Sequence, residues 1–193
     1  MEHRWYIDSG QSCCRWGAKK KGFDDDEPSD HALGRSQGGF GTKLHLLVDG
    51  CGIPLAAAIT PGQAHESTAF ETVMNLVHIR QPRGRPRCRP DQLAGDRGYD
   101  ARRIRQWLRT RGIRPVIPPR KRVGHRRTGR PVTYDRGAYR ARNMVERCIG
   151  WLKECRSVAT RFEKLALNYL GLVHIAIIQR YLRVLTASAP TAK

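Results

Sequence analysis

Tyr139, Arg142, Glu146 and Lys153 stand three, four and seven residues apart in the stretch YRARNMVERCIGWLK. At about 100° per residue, those gaps gather all four within an arc of roughly 60° on an α-helix. Met144, Val145, Cys148 and Leu152 fall on the opposite side. One face can therefore pack on a core while the other presents a carboxylate flanked by two cations and a phenol. Two upstream acids stand in comparable settings. Asp8 ends RWYID, and Asp96 follows QLAG with Gly98 two residues on. An aspartate at a strand end, with glycine beside it, lets a bulky substrate backbone approach closely. Three carboxylates brought to one place would repel and titrate upward unless cations joined them. Two divalent ions about 3.5–4 Å apart in such a setting can drive phosphodiester chemistry. Each feature also has a plain reading: a solvated helix face of weak ion pairs, or a turn-forming aspartate. Spacing alone does not bring the three acids together.

The composition narrows the partners. The chain has 193 residues, with 36 Lys and Arg against 17 Asp and Glu, a formal net charge of +19. So large a charge opposes compaction unless polyanions or counterions screen it, which favours a nucleic-acid partner. A membrane is disfavoured: no run of 18 apolar residues exists, and the N-terminus is no signal peptide. Leu165 to Leu185 is apolar but interrupted by Asn168, His174, Gln179, Arg180 and Arg183, and is expected to be a mostly buried core helix. None of the six cysteines forms a C-x-x-C pair, so the expectation is reduced thiols in a cytosolic protein rather than a zinc site.

The elements that must position the acids follow in order. RWYID reads as a strand. Residues 10–41 read as a long mobile loop carrying the acidic run Asp24 to Glu27. Thr42 to Val48 and Pro54 to Thr60 read as a hairpin. Ser67 or Thr68 is expected to cap a helix to about His78, with Ala69, Phe70, Val73, Leu76 and Val77 inward. From Arg80 to Arg130 there are 18 Lys and Arg against Asp91, Asp96 and Asp100, a run suited to tracking phosphates because the planar guanidinium donates in pairs. Gln92 to Ala94 is a short strand, Ala101 to Arg111 a helix with Ile104, Trp107 and Leu108 inward, and Arg114 to Pro118 another strand. Residues 118–133 form a Pro/Arg/Gly loop. Asp135 then caps the long helix holding Glu146, and Asn168 to Leu185 forms the last helix.

The Tyr-x2-Arg-x3-Glu-x6-Lys spacing resembles the signature of the DDE transposases of bacterial insertion sequences, in the insertion-sequence-four/five superfamily, and every named position is matched. WYIDS, GRSQGGFGTKLHLLVDG, TPGQAH and GDRGYD resemble further segments of the same family, so the likeness runs from about Trp5 to Leu182. Asp8-Ser9-Gly10 departs from the family's usual Asp-Ser-Thr.

The resemblance implies an α/β, ribonuclease-H-like mixed sheet flanked by helices over 1–186, with 187–193 as a tail. It implies that Asp8, Asp96 and Glu146 converge as catalytic and metal-holding residues for two Mg²⁺ ions, which Mn²⁺ can replace, with Asp8 bridging both. Tyr139, Arg142, Lys153 and Arg97 are expected to contact DNA, with His65 and Glu66 as second-rank neighbours. The implied activity is cleavage of insertion-sequence ends and joining to target DNA. The alternatives are a stand-alone nuclease on this fold or an inactive, regulatory DNA-binding fragment. Family members usually carry a helical DNA-binding region before the first Asp; that region is expected to be absent here. The expectation is a product completed by an upstream reading frame through frameshifting, or a remnant. The implied setting is a homo-oligomer on DNA in the cytoplasm, associated with the nucleoid.

Overall fold

The computed structural model describes residues 3–14, 29–36, 39–120 and 133–187. The acidic run at 24–27 and most of the 118–133 loop lie outside the described residues. Strand β1 (Arg4–Cys14) is the middle of the sheet. It continues six residues past Asp8, so the acid sits within a strand rather than at its end, and residues 10–14 belong to the sheet rather than to a loop. After a 3₁₀ turn, Ser29–His31, come β2 (Gly34–Ser36), β3 (Gly39–Asp49) and β4 (Pro54–Pro61). The β3–β4 turn is held by Asp49, whose Oδ1 accepts from the backbone N–H of Cys51 and of Ile53, each at 2.8 Å.

Helix α1 spans Glu66–Asn75. Its cap is His65, whose ring accepts from the Ser67 N–H, rather than Ser67 or Thr68. Leu76, expected inward, is exposed, whereas Met74 takes a core position. Strand β5 (Gln92–Gly95), a 3₁₀ turn (Arg97–Tyr99), α2 (Arg102–Thr110) and β6 (Arg114–Val116) follow. The strand order is β4-β3-β1-β5-β6, with β2 also on β3. On one side β1 runs antiparallel to β3, from Trp5 opposite Asp49 to Cys13 opposite Gly41. On the other it runs parallel to β5, from Arg4 beside Gln92 to Ile7 beside Gly95. This is the mixed sheet flanked by helices that the sequence resemblance implied.

The helix expected after Asp135 is two helices. Asp135 caps α3 (Arg136–Arg140) by accepting from the Gly137 and Ala138 N–H groups. A turn at Ala141 and Arg142 then precedes α4 (Asn143–Leu152). Helix α5 (Arg156–Ala159) and β7 (Thr160–Arg161) lead to α6 (Ala166–Ala187). β7 runs parallel to β1 at Cys13 and Cys14.

Strand alternation divides the core between the two faces of the sheet. Trp5, Ile7, Leu47 and Leu93 pack with Phe70, Val73, Ile104 and Leu108 of α1 and α2. Tyr6, Leu46, Val48 and Ala94 pack with Val145, Ile149 and Leu152 of α4 and Val173 of α6. Asp8, two residues from Tyr6, therefore shares the α4 face.

Candidate active site

Pairing between β1 and β5 ends at Ile7 and Gly95. The next residue in each case is an acid: Asp8 within β1, and Asp96 just past the end of β5. Helix α4 covers this end of β1 closely: a Cβ on Gly10 would lie 2.6 Å from Ile149 Cγ2. Gly10, the departure from the family's Asp-Ser-Thr, is thus matched by a bulky residue on the facing helix. That close approach brings the first turn of α4, with Arg142 and Glu146, over Asp8.

Arg142 is the hub. Its Nη1 donates to Asp8 Oδ2, and its Nη2 donates to Glu146 Oε1 at 2.6 Å. Its guanidinium carbon stands 5.4 Å from the Tyr139 ring centroid. The Tyr139 hydroxyl reaches Asp96 Oδ1 at 3.5 Å, a long contact. Of the seven residues singled out in the sequence, Asp8, Asp96, Tyr139, Arg142 and Glu146 form one cluster, whereas Lys153 and Arg97 stand outside it. Lys153 is exposed at the C-cap of α4, and Arg97 is exposed in the turn after Asp96. Lys153 stands outside because it lies seven residues past Glu146 on the same helix, about 10 Å further along its axis at 1.5 Å per residue.

The electrostatics are unbalanced. Asp8 is 9 % exposed. Its pKa is pushed up to about 6, chiefly by burial and further by Asp96 and Glu146, against the pull of Arg142 and of the Ser9 N–H. For Arg142, burial acts to lower its pKa, but Asp8, Glu146, Tyr139 and Asp96 together raise it, so the guanidinium stays charged. Its Nε is buried with no hydrogen-bond partner. One cation thus serves three carboxylates.

The donor set, three carboxylates, is the kind that hard divalent ions take. Yet among the described residues no group of three His, Cys, Asp or Glu is already gathered tightly enough to hold an ion. The carboxylates are arranged about the guanidinium, which supplies the positive charge the site needs.

A second layer lies behind Asp8, on the opposite sheet face. His45, fully buried, bonds Tyr99 Oη at 3.2 Å through Nδ1 and Thr60 Oγ1 at 2.8 Å through Nε2. Burial holds its pKa down to about 4. Burial, with Asp8, Glu66 and Asp96, raises that of Tyr99. Sequence reasoning passed over His45; the signal was a lone imidazole among the leucines of TKLHLLV. Of the second-rank residues, His65 serves as a helix cap. Glu66 pairs with Lys43 at 2.9 Å and lies against Gly98, where a Cβ would come within 2.8 Å of its carboxylate. The basic run from Arg80 to Arg130 is not wholly a surface: Arg105 is buried and bonds Asp100 at 2.8 Å and the Ile117 carbonyl at 2.7 Å.

Residues 17–179 match the sequence model of a family described as Transposase DDE domain. Asp96 and Glu146 fall inside that match and Asp8 precedes it. The chain is 35% identical over 164 residues to a putative transposase for insertion sequence element IS402 of Burkholderia cepacia, covering 84% of this chain and 67% of that protein. It is 28% identical over 150 residues to a putative transposase for insertion sequence element IS6501 of Brucella ovis, covering 74% of this chain and 98% of that one. A solved simian T-cell lymphotropic virus intasome, in complex with the PP2A regulatory subunit B56 gamma, aligns with 91% of this chain and 47% of its own, at 14% identity and a TM-score of 0.46.

Proposed function

Because this chain belongs to the DDE transposase family, we propose that it is the part of a transposase that cuts the ends of an insertion sequence and joins them to target DNA. The observation that carries the reading is the meeting of Asp8, Asp96 and Glu146 about Arg142 at the end of β5. In this reading Asp8, Asp96 and Glu146 hold two Mg²⁺ ions, with Mn²⁺ able to replace them. When bound, such ions supply an activated oxygen nucleophile and a stabilised leaving oxygen for phosphodiester cleavage.

The chain's own residues prepare that chemistry. β1 and β5 fix the two aspartates on rigid backbone, and α4 delivers Glu146 from above. The burial that raises the Asp8 pKa also makes the site favour a positive charge. Arg142 supplies that charge in the absence of DNA. A phosphate can take both prongs of a guanidinium fork at once, and in this reading Arg142 turns to the backbone of a bound DNA end and releases one oxygen each of Asp8 and Glu146. Tyr139 places the strand beside Asp96. Lys153 and Arg97, exposed on either side, take phosphates further along. If Arg142→Ala lowers thermal stability while end binding and cleavage keep their wild-type values, this role for Arg142 is wrong.

The test of the whole reading is a labelled oligonucleotide bearing the element's terminal repeat, incubated with the protein and Mg²⁺ or Mn²⁺. Joined product that vanishes in Asp96→Asn is the expected result. Nicks without joining would point to a nuclease. Binding without either, sensitive to salt as all such binding is, would leave a regulatory DNA-binding chain.

A further inference from the structure

Asp96 stands one residue beyond the β1–β5 ladder, so strand pairing does not fix it. The contact its side chain makes with the Tyr139 hydroxyl is long, 3.5 Å. Its place is set instead by the 3₁₀ turn that follows, Arg97–Tyr99. The Tyr99 N–H donates to the Asp96 carbonyl at 3.0 Å, and the Asp100 N–H to the Arg97 carbonyl at 3.0 Å. Tyr99 anchors one end of the turn, with its ring fully buried and its hydroxyl bonded to His45. The middle of the turn, Gly98, rests on Glu66. A Cβ built on Gly98 would lie 2.8 Å from Glu66 Oε2, 3.1 Å from Cδ and 3.3 Å from Cγ. The carboxylate therefore fills the space that a side chain at 98 would take.

A glutamate free to swing would leave such a contact. Glu66 is tethered. It opens α1, where a carboxylate is ordinarily solvated and serves the helix dipole, yet its side chain is only 26% exposed. Lys43, 17% exposed, reaches across from β3 and donates to Glu66 Oε1 at 2.9 Å and to the Ala64 carbonyl at 2.8 Å. Burial opposes ionisation of Glu66, but Lys43 and the residue's own N–H bring its pKa below the ordinary carboxylate value. The pair is therefore charged, and a half-buried charged pair costs desolvation that an apolar pair would not. Its place in the sheet is telling. The α1 side of β3 carries Leu47 in the core and then, two and four residues back, His45 and Lys43. That face turns polar at the level of Asp8, which lies opposite Leu46.

We propose that Glu66, held by Lys43, is a positioning residue for Asp96: it fixes the Arg97–Tyr99 turn through Gly98 and so sets where the Asp96 carboxylate stands. One oxygen takes the tether and the other takes the turn. What this does for DNA joining rests on the proposed metal-holding role of Asp96; the placement itself does not.

Hydrogen exchange of the full chain without DNA or metal, read by mass spectrometry on peptides covering residues 96–101, tests the placement. Glu66→Ala is expected to speed exchange of the Tyr99 and Asp100 N–H groups about tenfold, with exchange in β1 and β3 unchanged. Glu66→Gln keeps an oxygen for Lys43 and bulk against Gly98, and is expected to restore wild-type exchange. Gly98→Ala drives a methyl at the carboxylate and is expected to loosen the turn too. Gly98→Ala/Glu66→Ala is expected to loosen it no more than Glu66→Ala alone, because the two changes remove one contact. The second readout is the Mn²⁺ concentration that half-saturates DNA joining. Glu66→Ala is expected to raise it about tenfold, the size that outer partners of metal ligands carry, and Glu66→Gln to return it. Loss of folded protein alone would lower the yield and leave that midpoint where it was. Exchange over 96–101 that is unchanged in Glu66→Ala, or that rises equally throughout the chain, overturns the inference. A loosened turn with an unmoved Mn²⁺ midpoint overturns it as well, since Asp96 then keeps its place without Glu66. A turn loosened by Glu66→Ala in a chain whose wild type joins no DNA upholds the placement and counts against the proposed activity instead.

Discussion

Two arginine–aspartate pairs lie under this surface, and they are built to opposite ends. Arg105 and Asp100 bond at 2.8 Å, with side chains 9% and 3% exposed. The spare donors and acceptors there are used: Arg105 Nη2 donates to the Ile117 carbonyl, and Asp100 Oδ2 accepts from the Arg120 N–H at 2.6 Å. One charge meets one charge, and the bonds tie α2 to the segment beyond β6. Around Arg142, one cation meets Asp8, Glu146 and the field of Asp96, its Nε has no partner, and the Glu146 side chain is 49% exposed. A closed pair holds two segments together. An open, under-neutralised cluster leaves room for further positive charge, and that difference separates scaffold from site.

The comparison breaks first on activity. Asp8→Asn, Asp96→Asn and Glu146→Gln are each expected to cut DNA joining at least about 10³-fold, roughly 4 kcal/mol of barrier, without lowering the melting temperature. A large loss of stability in Asp8→Asn would mean that this pair, too, is scaffold. Asp100→Ala is expected to behave in the opposite way. It strands a buried guanidinium and destabilises by about 3–5 kcal/mol, read as a shift in the denaturant midpoint.

His45 sharpens the comparison through pH. Its folded pKa of about 4 lies below the ordinary 6.5, so the unfolded chain binds the proton more readily. Its contribution is complete above about pH 6.5 and is lost as pH falls towards 4, for a total of about 3 kcal/mol at 1.36 kcal/mol per unit. Asp8, raised to about 6, acts the other way: its burial cost grows as pH rises from about 4 to 6. Subtracting the stability–pH curve of His45→Asn from that of wild type isolates the imidazole, and a flat difference would show that His45 is not held neutral. The smallest expected effect is at the helix contact. Gly10→Ala pushes on Ile149 and is expected to cost about 1–3 kcal/mol, recovered in part by Ile149→Val in chemical denaturation. Full additivity of the two changes would mean that α4 does not press on β1 there.

Much of the site was legible because period and residue type carry local structure. The apolar run Leu44, Leu46, Leu47 and Val48 marks a strand buried on both faces, and the spacing of Arg142 and Glu146 survives as a bridged pair within one turn. Other expectations failed where competing local bonds won. Ala141 and Arg142 turn the chain between α3 and α4, which divides the single helix expected there, and Lys153 lies about 10 Å beyond Glu146 along α4. The His65 ring accepts the Ser67 N–H and takes the cap from two better-known cappers. Arg105 reads as one more cation in a basic run because composition cannot register a distant carbonyl.

The sequence by itself determined the family, the cationic surface and the identity of the acids, since each is written in residue type and short spacing. Only the tertiary structure decided that Asp8 lies beside Asp96, where β5 stops pairing, and that one guanidinium spans Asp8 and Glu146. Asp8 meets Asp96 from 88 positions away and Arg142 from 134, and no local propensity encodes a meeting that depends on how strands are ordered and how closely a helix packs across them.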